Sequence, residues 1–238
     1  REASVQPSAL CLRPPIGYFL GDFPLVEIAM RLLSSSLAAR HAAPSRLARR
    51  CTMASDDATS QGDVLRATRR WFEQFVLGLA LCPFAQPPHE ADTIRYALSP
   101  ATSSAELLDG LVEELNLLQR TDAIETTLLV HPSVHADSWD AHAAWLRDVD
   151  EAMEQSRLDE VFQLVGFHPQ HVCAGEDASN TAHWSNRSPY PLTHILRQSS
   201  VTEAVDSFPD VGEVPFANQR KLSRLSRTDL ERAIHGED

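Results

Sequence analysis

The sequence predicts an α/β fold, a small and mostly parallel sheet of three or more strands with flanking helices, in a single domain spanning residues 63–225. Three observations predict it. Apolar residues recur at helical spacing in several stretches of the body. Short apolar runs bounded by polar or proline-containing segments alternate with those stretches. Two of the runs, ETTLLV and VFQLVGF, end on the same dipeptide, His-Pro. Strands joined by helices of this length usually lie parallel, with right-handed crossovers.

Residues 1–62 read as a leader. Residues 1–52 hold seven Arg and three acids, so 14 of the 21 basic and 30 of the 33 acidic residues fall after them. The leader is therefore cationic and the body strongly acidic. From Met30 the chain runs MRLLSSSLAARHAAPSRLARRC, with five Arg and no acid before Asp56. That composition resembles a mitochondrial transit peptide, or else a disordered basic tail or translated upstream sequence, and the expected location is mitochondrial, or cytoplasmic if translation starts at Met53. Ser55 to Gly62 reads as loose.

Asp63 is placed to cap a helix through Val64, Trp71, Phe72, Phe75, Val76 and Leu79, stopped at Pro83 and followed by a loop at Pro87-Pro88. Thr93–Leu98 reads as a strand. Ser103 or Ser104 caps a second helix that buries Leu107, Leu108, Leu111, Leu115 and Leu118. Glu125–Val130 is the second strand. Asp137 or Ser138 opens an acidic amphipathic helix through Trp145, Val149 and Met153, and Val161–Phe167 is the third strand. A polar loop runs to Pro191. Leu192–Gln198 and Val201–Phe208 read as short helical turns, Asn218–Leu225 as a last helix, and 226–238 as a polar, solvated tail.

Composition excludes some functions. No apolar run approaches the roughly 18 residues a membrane span needs, so no membrane partner is expected. The acidic body argues against nucleic acid, and no basic stripe with interleaved aromatics is present. The body holds only Cys82 and Cys173, which is no disulfide framework. Oligomeric state is not readable.

The candidate site residues follow from chemistry. Proline holds the preceding residue extended and removes a donor, so His131 and His168 are stiffly mounted where their strands end. If those strands are parallel, both stand at the carboxyl edge, where open α/β sheets place ligands. They suit a general base or a metal ligand, or else they merely end the strands. With His194 they offer three imidazoles to a divalent metal such as zinc, although no HExxH, CxxC or Gly-rich phosphate loop is present. Asn186, Arg187, Ser188 and Tyr190 are dense in donors, and His194 and Arg197 would share a helix face. The guanidinium groups match carboxylate or phosphate, or pair with the surplus acids. Cys82, after an apolar helix and before proline, reads first as core packing, second as a metal ligand and third as a nucleophile. Glu125 starts its strand at the end away from His131 and falls outside this set.

Six motifs occur in order: GLALCPFA (78–85), ETTLLVHP (125–132), FQLVGFHP (162–169), AG (174–175), NRSPYP (186–191) and HILR (194–197). Together they resemble the family catalogued as domain of unknown function 1415, over about residues 64–225. The resemblance singles out Cys82, Pro83, Glu125, His131, His168, Asn186, Arg187, Ser188, Tyr190, His194 and Arg197. It implies no reaction. The family pattern resembles an aromatic where this chain has Cys173, and an acid where it has Gln198. It gives no support to His135, His142, His171, His183 or His235. The expected function is an enzyme acting on a small anionic substrate. His131, His168 and His194 would be catalytic or metal-binding there, and Asn186, Arg187, Ser188, Tyr190 and Arg197 would bind the substrate. The alternative is a non-enzymatic metal- or metabolite-binding or assembly module.

Overall fold

Strands β1 (Ile94–Leu98), β2 (Thr126–Val130) and β3 (Phe162–Phe167) form where the short apolar runs lie. The computed structural model describes residues 54–177 and 179–236, so the transit-peptide reading from Met30 and both candidate starts lie outside the described residues. Between the strands run α3 (Ser104–Arg120) and α4 (Trp139–Gln155). Their caps are local chemistry. The Ser103 hydroxyl accepts from the Glu106 N–H and the Ser138 hydroxyl from the Ala141 N–H, each satisfying a donor the first helical turn leaves open.

The sheet has four strands in the order β1-β2-β4-β3 and is mixed, which corrects the mostly parallel sheet expected from sequence. The fourth strand, β4 (Leu192–Arg197), occupies the segment expected to be helical. It runs antiparallel to both β2 and β3. Leu192, Ile195 and Leu196 are spaced as a helix face would be, but helices cover both faces of this sheet, so apolar residues of a central strand lose the period of two. β2 and β3 still point the same way, though with β4 between them.

Other segments depart from expectation. Helix α1 (Ala54–Trp71) begins nine residues before Asp63, because nothing from Ser55 to Asp63 stops a helix and Gly62 costs only about 1 kcal/mol. It passes into a π-helical turn, Phe72–Leu77. Pro87-Pro88 lie in the first turn of a short helix, α2 (Gln86–Glu90), where proline gives up no hydrogen bond. After β4 come α5 (Gln198–Ser207) and α6 (Val214–Leu222). The segment expected as a solvated tail carries α7 (Arg227–His235), opened by a Ser226–Asp229 capping box, with Leu230 and Ile234 buried.

The sheet separates two cores. One face packs Ala97, Leu129, Phe162, Leu164 and Ile195 against α3 and α4, with Trp145 and Leu107 fully buried. Each such side chain contributes about 1.5–3 kcal/mol. Gly166 allows α4 to approach: a Cβ there would overlap Leu146 and stand 3.2 Å from His142 Nε2. The other face packs Leu128, Val130, Val165, Phe167 and Leu192 against α1, the π-turn, α6 and α7. Among the described residues no helix is long and apolar enough to cross a membrane.

Candidate functional site: a histidine edge and a cavity beneath the sheet

His131 and His168 do meet at one edge of the sheet, on the α4 face, and they are not alone. His142 of α4 lies with its ring centroid 4.9 Å from His131 and 6.0 Å from His168. His135 lies 6.4 Å from His131, and the Trp139 ring packs tilted against His171, with centroids 4.3 Å apart. His131, His142, His168 and His171 are all buried.

Most of this imidazole chemistry is committed to the fold. A carbonyl only accepts, so His131 Nδ1 donates to Val134 (3.2 Å) and its Nε2 accepts from the Thr193 hydroxyl (3.3 Å). His168 Nδ1 accepts from the Gln170 N–H and its Nε2 donates to the His135 carbonyl, both at 2.9 Å. That carbonyl is presented by a left-handed residue, His135 at φ 58°. His142 differs: among the described residues neither ring nitrogen has a hydrogen-bond partner. Burial holds His131 down to about 4 and His171 to about 4, with neighbouring imidazoles adding to it. His142 falls to about 2 by burial and repulsion from His131, His135 and His168, opposed only weakly by the Leu192 carbonyl, which lies nearby but outside hydrogen-bonding geometry. Burial also lowers His168.

The donor-rich loop meets this edge in part. The Asn186 carbonyl accepts from the His168 N–H (3.1 Å), and its Oδ1 accepts from Ser185 (3.0 Å). The buried Ser188 hydroxyl donates to the Tyr190 carbonyl (2.6 Å), and Tyr190 packs into the second core. Arg187 lies 4.3 Å above the Trp184 ring and donates Nε to the His171 carbonyl at 3.4 Å. Its terminal nitrogens have no hydrogen-bond partner among the described residues.

His194 and Arg197 stand elsewhere. Three residues along a strand reverse the face. Arg197 is at the far end of the sheet from His131, on the α3 face, where its Nη2 donates to the carbonyls of Leu118 (2.7 Å), Thr121 (2.9 Å) and Ile124 (2.9 Å). It closes the C-terminus of α3. His194 lies on the opposite face from His131 and His168, so those three imidazoles do not converge on one ion. Among the described residues no group of three or more His, Cys, Asp or Glu side chains is placed to hold a metal.

What His194 faces is a cavity of about 720 Å³ between the sheet, the π-turn, α2 and α5. Its walls are Trp71, Phe72, Val76, Leu81, Phe84, Leu128, Phe167 and Phe208, and its polar groups include Cys82, Glu125, Thr126, Ser200 and Glu203. The Phe84 and Phe208 rings meet edge-on at 5.7 Å. The 80–82 turn that carries Cys82 is pinned from α6, where Asn218 donates to the Leu81 carbonyl (2.6 Å) and Lys221 to the Ala80 carbonyl (2.5 Å). Burial pushes the Cys82 thiol up, against the pull of the Phe84 and Ala85 N–H groups, so it is a neutral thiol.

The tautomer of His194 is set by its neighbour. The Thr126 hydroxyl donates to the Ile195 carbonyl at 2.6 Å, so it must accept from His194 Nε2 at 2.7 Å. Burial holds the imidazole down to about 4, hence neutral. Its Nδ1 is then a lone-pair acceptor with no hydrogen-bond partner among the described residues. Sequence reasoning missed this cavity and set Glu125 aside. A usable signal was Thr126, a polar residue opening a strand buried along its whole length.

A family model described as a protein of unknown function (DUF1415) matches residues 63–232. No curated protein and no solved structure matches the chain. The matched span takes in the whole sheet, the cavity and both cores apart from the Ile234 end of α7, and the chain belongs to this family.

Proposed function

We propose that the protein binds an apolar small molecule in the cavity beneath the sheet, which makes it a metabolite-binding module. The observation that carries this is an apolar chamber of about 720 Å³ lined by His194, whose Nδ1 acceptor has no hydrogen-bond partner among the described residues. Ligand sites are commonly apolar clefts of roughly 300–1,000 Å³ with a few placed polar groups. The π-turn supports the reading, since such turns recur at functional sites and this one supplies Phe72 and Val76 to the wall. The neutral apolar fluorophore N-phenyl-1-naphthylamine tests it. Saturable one-to-one binding is expected, and it is expected to vanish in Ala204→Trp, which fills the chamber from α5. Binding that survives that substitution, in a protein that still melts cooperatively, would place the dye elsewhere and sink the proposal.

A second reading, a small anionic substrate at the histidine edge, is favoured by Arg187, whose guanidinium is held over Trp184 beside His171 and, among the described residues, forms no salt bridge, Glu231 acting on it only from a distance. In an enzymatic form of this reading the acid–base group is His142 or His171, because both nitrogens of His131 and His168 are already engaged. A thermal shift on adding inorganic phosphate, lost in Arg187→Met, is its expected signature. The absence of any shift would remove it.

A further inference from the structure

Resting on that cavity reading, we infer that its ligand is an apolar amine, with the hydrocarbon body among the aromatic walls and the ammonium held by Glu125 and Glu203. Among the described residues no Lys or Arg lines the chamber. The ionisable groups that do are two carboxylates, a neutral thiol and a neutral imidazole. The side chains of Glu125 and Glu203 make no hydrogen bond or ion pair among the described residues. Glu125 directly precedes Thr126, the residue that orients His194, and Glu203 reaches the same chamber from α5. The unpartnered acceptor on His194 is the independent sign that the chamber expects a donor. A carboxylate ligand would meet two acidic side chains and, among the described residues, no cation in the lining. An alcohol would satisfy His194 but leave the carboxylates unmatched. A protonated amine on an apolar body satisfies both, through charge-assisted hydrogen bonds.

Displacement of N-phenyl-1-naphthylamine by decylamine, decanol and decanoate at pH 7.5, each kept below self-association, tests the assignment. Decylamine is expected to displace the dye at a concentration about tenfold lower than decanoate, a margin one charge-assisted contact supplies. In Glu125→Gln/Glu203→Gln that margin is expected to disappear while decanol is unaffected. Glu203→Gln alone, at an exposed position on α5, is expected to lose part of it and guards against a folding defect in the double variant. Decanoate binding as well as decylamine would overturn the assignment, and so would an amine preference that survives the double substitution. Dye that binds but is displaced by none of the three also overturns the ligand class and leaves the cavity reading standing. Dye that does not bind at all brings down the cavity reading itself.

Discussion

Acidification is expected to unfold this protein near pH 5, and His142→Leu is expected to protect it. His131, His171 and His194 are held at about 4 and His142 at about 2, all down from 6.5. Each is therefore depressed in the folded state. The unfolded chain takes up these protons as pH drops through 6.5, while the fold does not until about 4 or below. Stability is full above pH 6.5 and is lost on going down, with the steepest loss between 6.5 and 4. At pH 5 each imidazole costs about 2 kcal/mol, and four of them about 8 kcal/mol, comparable to the whole stability of an ordinary domain, roughly 5–15 kcal/mol. His142 is the cleanest position to test. It is fully buried and makes no side-chain hydrogen bond among the described residues, so leucine removes an unsatisfied polar ring as well as a proton-linked penalty. Urea melts at pH 7.5 and 5.0, followed by tryptophan fluorescence, measure both. The variant is expected to match or exceed the parent at pH 7.5, and to lose about 2 kcal/mol less between the two pH values. An equal pH loss in parent and variant would refute the reasoning.

Three other outcomes follow from particular contacts. Arg197→Met removes the side chain that holds three carbonyls at the end of α3; a loss of about 2–4 kcal/mol in urea melts is expected, with unchanged dye affinity, since its partners are structural. Asn218→Ala releases the Leu81 carbonyl, and is expected to weaken dye binding several-fold through the Cys82 turn, as read by titration. Fusion of residues 30–52 to a fluorescent protein is expected to direct it to mitochondria, and diffuse cytosolic signal would point instead to a start at Met53.

Where local chemistry dominates, the elements were legible. Ser103 and Ser138 announce helices because a hydroxyl ahead of an apolar-periodic stretch has a specific donor to satisfy. The meeting of His131 and His168 was legible too, since it needs only that β2 and β3 point the same way. The other imidazoles of that edge were not. His142 reaches it from α4, and only the depth to which α4 sinks at Gly166 brings it there. The cavity was less legible still, because an unfilled volume is set by how the π-turn, α2 and α5 fall short of the sheet, and no residue pattern records a gap between elements.

β4 joins these two outcomes. As a helix, Leu192–Gln198 would have put His194 and Arg197 on one face, about one turn apart, and made them a plausible clamp. As a strand it separates them by about 10 Å along the chain and sends them to opposite faces. Consecutive residues then serve different ends: Thr193 donates to His131 at the histidine edge, while His194 turns into the cavity and is held by Thr126. Helices pack on both faces of the sheet, so much of this strand is buried, and a polar group buried there needs a partner. Thr193 and Arg197 have found theirs. Among the described residues His194 has found one for Nε2 only, and His194 lines the cavity, which is why the proposed ligand is given to its other nitrogen.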